Sequence, residues 1–153
     1  MQFKAEALNW GSGDFTVTYD ECTGKVRAKL LNFYYDDCFA CYDDFLDYAS
    51  FYLWRNGAWV EIAYSSGSNG SCQGGIPSAR NGYAITGNFS GSCNSREYIN
   101  VYLQVPSDIL NSNSGVVKIK VTGLADDDNS DTVIDWEKEA SIPPISEVQG
   151  FTV

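Results

Sequence analysis

The sequence contains no histidine. Histidine is the side chain that gains and loses a proton nearest neutral pH, so it serves most often as a catalytic acid or base. Its absence excludes Ser-His-Asp and Cys-His catalysis and mixed Cys/His zinc sites. Cations are also few, with ten Lys and Arg against twenty Asp and Glu and a formal charge of −10. A chain this acidic does not neutralise phosphates, so nucleic acid and anionic membrane surfaces are not expected partners. No apolar run approaches the ~20 residues of a membrane helix, so no membrane insertion is expected. No P-loop, GxSxG or HExxH motif occurs. Nor does the start read as an export signal, because Phe3, Ala5 and Ala7 alternate with Lys4 and Glu6 over residues 1–10 as in a strand. The expectation is a protein used without export, or a mature fragment behind an added Met.

Aromatic side chains are plentiful: ten Tyr, eight Phe and four Trp, against one Met. Many rings and little Met suit stiff sheet packing better than a plastic helical core. At 153 residues one domain is expected. Period-2 patterns run through most of the chain. Phe15, Val17 and Tyr19 alternate with Thr16 and Thr18, then turn through Asp20–Gly24 into Val26, Ala28 and Leu30, which alternate with Lys25, Arg27 and Lys29. Asn56-Gly57 is a type I′ hairpin signal between arms at about 48–54 and 59–64. Further strands are predicted near 83–89, at 98–105, around Val117, Ile119 and Val121, and over 132–139. Between 36 and 47 the alternation breaks; Phe39, Tyr42, Phe45 and Leu46 have helical spacing and predict a short helix or compact loop. The expected fold is all-β: one antiparallel β-sandwich or jelly-roll-like domain of about eight strands over 1–140, with an extended C-terminal tail at 141–153 that begins near Pro143-Pro144.

Three groups of residues could carry chemistry. The five cysteines include a CxxC, Cys38 and Cys41, without the βαβ setting of a thioredoxin-like site. Cys22 sits at a hairpin turn, remote from that pair. Cys72 and Cys93 flank the 83–89 strand and fall at opposite ends of it unless Asn81-Gly82 is a turn. Plain reduced thiols, disulfides and a metal site all remain open, and the odd count leaves at least one thiol without an intrachain partner. Asp126, Asp128, Ser130 and Asp131 have part of the alternate oxygen spacing that holds Ca²⁺, but lack the EF-hand Gly and Glu. A solvated acidic turn is the plainer reading. Tyr52, Trp54, Trp59 and Tyr64 lie on one predicted hairpin, Tyr98 and Tyr102 on the outer face of another strand, and Phe151 in the tail. Outward rings bury at protein interfaces or stack on sugars; otherwise they are half-covered residues of an ordinary sheet.

With no catalytic constellation, a non-enzymatic role is expected. The leading expectation is a structural or interaction protein of a larger homo- or hetero-oligomeric assembly, specifically a bacteriophage virion component (decoration, capsid-associated or tail protein) assembled in the host cytoplasm. It would engage other protein subunits through its sheet faces and tail by strand addition. The alternatives are a carbohydrate-binding module with a glycan partner, stabilised by Ca²⁺ or without cofactor, and an extracellular, secreted adhesin or filament subunit.

Overall fold

The computed structural model describes residues 10–32, 35–36, 43–67, 75–91, 97–111, 115–126 and 131–143. Ten strands run through them: β1 (Phe15–Asp20), β2 (Lys25–Leu31), β3 (Tyr35–Asp36), β4 (Asp43–Arg55), β5 (Ala58–Ser65), β6 (Ser78–Ala79), β7 (Ile85–Gly91), β8 (Glu97–Gln104), β9 (Val116–Asp126) and β10 (Asp131–Ser141). The only α-helix among the described residues is one turn, Ser107–Leu110, directly after Pro106. All strand pairs are antiparallel. They form two sheets, β1-β2-β8-β7 and β10-β9-β4-β5-β6, with β3 added on β4. The fold is an all-β sandwich, as the alternation predicts. Edge strand β1 approaches β10, and β6 approaches β7, so the sheets close towards each other along both sides.

The two turns with the strongest local signals form as their chemistry requires. Asn56 and Gly57 both have positive φ, 53° and 81°, the geometry that matches the right-handed twist of the flanking arms. Gly24, at φ 74°, closes the first hairpin and donates its N–H to the Asp20 carbonyl at 2.8 Å. Asn81 and Gly82 also form a turn with positive φ. Cys72 and Cys93 themselves lie outside the described residues.

The core is the inward half of each alternating strand. Val17, Val26, Ala28, Leu30, Ile99, Val101 and Leu103 face inward from the smaller sheet, and Ala49, Phe51, Leu53, Ile62, Ile119, Val121 and Ile134 from the larger. Phe15 and Phe51 join the layers with ring centroids 6.4 Å apart. Trp10 covers one end and donates Nε1–H to the Leu31 carbonyl at 2.9 Å.

The segment around 36–47 departs from its predicted form where it is described. Asp43 to Asp47 is extended and belongs to β4, and Tyr35-Asp36 pairs with its first two residues. Of the four residues with helical spacing, Phe39 and Tyr42 lie outside the described residues, and Phe45 and Leu46 belong to β4, which carries a bulge between Leu46 and Tyr48. The bulge inserts an extra residue, Asp47, and shifts the alternation by one. A second bulge, opposite Phe51/Tyr52, lets Ile62 and Ala63 both face the core. Residues 37–42, 1–9 and 144–153 lie outside the described residues, so the predicted first strand, the CxxC and most of the tail do as well.

Gly123 pairs with Ala49 beside the β4 bulge. A Cβ there would overlap the Tyr48 carbonyl oxygen, whereas at Gly13 it would meet nothing within 4 Å. Gly123→Ala should therefore cost about 1–3 kcal/mol through forced overpacking and lower the melting temperature by several degrees. Gly13→Ala should leave it unchanged. Thermal unfolding of both variants checks this, and equal melting temperatures would contradict the assigned register.

Candidate functional site

The outer face of the larger sheet holds four of the ring residues singled out in the sequence. Trp54 and Trp59 are register partners next to the Asn56-Gly57 turn, with centroids 5.1 Å apart and an edge-on arrangement of 64°. Tyr52 lies two residues back on β4, opposite Lys120 of β9. Lys120 Nζ sits between two rings, 5.5 Å from Tyr52 and 5.0 Å from Trp59. Arg80 lies 5.1 Å from the Tyr64 ring. Three of the four rings thus already carry a cation from their own chain. Trp54, at 40% exposure, is the most open. Beside it is a depression of about 300 Å³, lined in part by Trp54, Arg55, Asp108 and Lys118. Its Arg55 is occupied: Nε and Nη2 hold Asp108 at 3.2 and 2.8 Å, and Nη1 donates to Tyr83 Oη at 2.9 Å.

Tyr98 and Tyr102 belong to β8, on the outer face of the other sheet. They are not brought together with the Trp54–Trp59 group. Lys29 stands 4.2 Å from the Tyr98 ring and Arg27 5.9 Å from the Tyr102 ring. Phe151 lies outside the described residues.

A further apolar row on the larger sheet escaped sequence reading. Tyr48, Leu124 and Val133 are successive register partners across β4, β9 and β10 on the solvent side. Tyr48 is 41% exposed and Val133 73%. Tyr48 is in phase with Tyr52 and Trp54 along β4, so alternation alone directs it outward; what sequence cannot supply is the strand order that sets Leu124 and Val133 beside it.

At the end of the β9–β10 hairpin, Asp126 and Asp131 are register partners. Asp128 and Ser130 of the predicted Ca²⁺ set lie outside the described residues, and no group of three or more metal-ligating residues occurs among those described. The Asp126 carboxyl is pushed up to about 6, first by partial burial, then by a hydrogen bond with Asp131 and by the negative charge of Asp47. A hydrogen bond between two carboxyls requires one of them to hold a proton. Cys22 is exposed at the first turn and free.

No protein-family model matches this chain, and no curated protein is significantly similar to it.

The raised Asp126 value fixes a direction for pH dependence. The folded chain holds this proton more tightly than the unfolded chain, whose carboxyl titrates near 3.8. The stability gained from protonation is present below that value and is lost as pH rises through about 6. Asp126→Asn should raise the melting temperature at pH well above 6 and leave it unchanged below 3.8. Because the carboxyl is only partly buried, the gain should be roughly 1 kcal/mol or less. Melting curves of both proteins across this range check the sign; a variant less stable at neutral pH would contradict it.

Proposed function

We propose that this chain is a non-enzymatic interaction subunit of a larger protein assembly, with the outer face of the larger sheet as its contact surface. The observation that carries this reading is the cross-strand row Tyr48–Leu124–Val133, apolar and directed to solvent. A sheet whose inner face already makes the core gains nothing in its own fold from Val133 at 73% exposure. Apolar patches of this kind mark contacts with other proteins. Trp54 and Trp59 extend the surface towards the Asn56-Gly57 turn. The cations over Tyr52, Trp59 and Tyr64 favour a protein partner over a sugar, because a stacked sugar needs the ring faces that Lys120 and Arg80 occupy.

The finer reading is a bacteriophage virion component. Its support is compositional: no histidine, an odd number of cysteines, a net charge of −10 and no catalytic motif.

Val133→Asp tests the surface, because so exposed a residue contributes little to the fold. Sedimentation at increasing concentration, alone and with proteins of the source particle, should show association that the variant weakens at least tenfold, equivalent to ~1.4 kcal/mol, with an unchanged melting temperature. A strict monomer that binds nothing in its source particle would overturn the proposal. So would glycan-array binding abolished by Trp54→Ala and Trp59→Ala, which would make this face a sugar site.

A further inference from the structure

The smaller sheet presents a different surface. Its outward side chains include three cations in one row along β2: Lys25, Arg27 and Lys29. That is three of the ten cations of a chain with net charge −10. No carboxylate pairs with any of them among the described residues, in contrast to Arg55, which Asp108 neutralises. Lys29 and Arg27 rest against Tyr98 and Tyr102, and Asp20 is the register partner of Lys25 without forming an ion pair. The row thus keeps a net positive charge on one face of an acidic protein, which favours an anionic counterpart.

The face is concave where two of these cations lie. A depression of about 520 Å³ is lined by Thr18, Asp20, Thr23, Lys25, Arg27, Thr86, Asn88 and Tyr102, within the ~300–1,000 Å³ range of small-ligand sites. It crosses the whole sheet: Thr18, Arg27, Tyr102 and Thr86 form a single register row over β1, β2, β8 and β7. Arg27 is held from below. Its Nε donates to Asn100 Oδ1 at 3.0 Å, and Asn100, 1% exposed, is locked in turn by donating Nδ2 to Asn88 Oδ1 at 2.9 Å and Ser90 Oγ at 3.1 Å. The buried amide takes up only Nε, so the two Nη groups of Arg27 have no hydrogen-bond partner among the described residues. A planar carboxylate matches that fork. The one acidic lining residue, Asp20, accepts the Cys22 backbone N–H at 2.9 Å through Oδ1.

We propose that this depression binds an acidic sugar: the carboxylate of a uronic-acid unit paired with Arg27 and Lys25, and its hydroxyls with Thr18, Thr23, Thr86 and Asn88. The rim of hydroxyls and an amide matches the many hydroxyls of a polyol, and the oligoglutamate arm of the test separates this from an acidic peptide. The site is separate from the Tyr48–Leu124–Val133 surface and stands or falls independently of it.

Calorimetric titration with trigalacturonate, its fully methyl-esterified form and an oligoglutamate of equal charge tests the proposal. Trigalacturonate should bind, weaken with added salt, and lose at least tenfold on methyl esterification. Lys25→Ala, whose side chain has no hydrogen bond or ion pair among the described residues, should weaken binding several-fold with unchanged melting temperature, and Arg27→Lys, which keeps the charge but loses the fork, should weaken it several-fold while the protein stays folded. Trp54→Ala and Val133→Asp should leave it unaltered. Absence of trigalacturonate binding, equal binding of the ester, indifference to Lys25→Ala and Arg27→Lys, or oligoglutamate binding as tight as the sugar would each overturn it.

Discussion

The register of β4 decides which side chains this protein shows to solvent. β4 is the central strand of the larger sheet, between β9 and β5. Phe51 and Leu53 point into the core from it, and Tyr52 and Trp54 point out. A slip of one residue would exchange these pairs, burying polar edges and exposing two of the largest core side chains. Two local features hold the register. At one end the Asn56-Gly57 turn fixes the pairing with β5, because only residues tolerant of positive φ make so tight a reversal. At the other, the β4 bulge draws the Tyr48 carbonyl against Gly123, where no side chain fits. The outward aromatic group and the outward apolar row both follow from these pins.

Charge is distributed unevenly over this frame. The outward positions of β10 are Asp131, Val133, Asp135, Glu137 and Glu139, and the two Glu residues face Lys120 and Lys118 of β9. Acidic side chains on the edge strand of the larger sheet discourage uncontrolled pairing with other strands. The apolar Val133 in the middle of that row is therefore the exception that marks a contact point. On the smaller sheet β2 alternates cations outward with core residues inward; its neighbours β1 and β8 present Thr16, Thr18, Asp20, Tyr98, Asn100, Tyr102 and Gln104, with Asp20 the single carboxylate, opposite Lys25. The two faces thus differ in kind. One is aromatic and apolar with an acidic edge strand, and the other is polar with a row of cations that form no ion pair among the described residues.

Much of this was legible in the sequence, for a physical reason. Strands that bury one face must alternate, so β1, β2, β8 and β9 are written directly in Phe15–Tyr19, Lys25–Leu30, Tyr98–Gln104 and Val117–Val121. Turns requiring positive φ announce themselves through Asn-Gly. Bulges do not, because they change the phase of the alternation without changing its composition, as β4 does between Leu46 and Tyr48. The ring residues were recognised individually, but their division between two sheets depends on strand order, which pairs β2 with β8 across more than seventy residues of sequence. Arg27 was legible as an outward cation and nothing more. Its orientation comes from Asn100, Asn88 and Ser90, brought beneath it by pairing that no local pattern encodes.

That buried amide bears on why the polar face exists. Asn100 occupies an outward position of β8 and yet is almost fully covered, by groups it itself holds in place. A β-branched residue at that position would suit a strand better and would leave no polar atoms to satisfy. Keeping an amide there makes sense only if a fixed geometry for Arg27 matters more than strand propensity. A guanidinium needed solely for solubility requires no such support, since a lysine serves equally well, as Lys25 on the same strand illustrates. The hydrogen-bonded Arg27 thus differs from Lys29, which rests on the Tyr98 ring, and from Lys25, and a fixed donor fork suits recognition better than simple charge does.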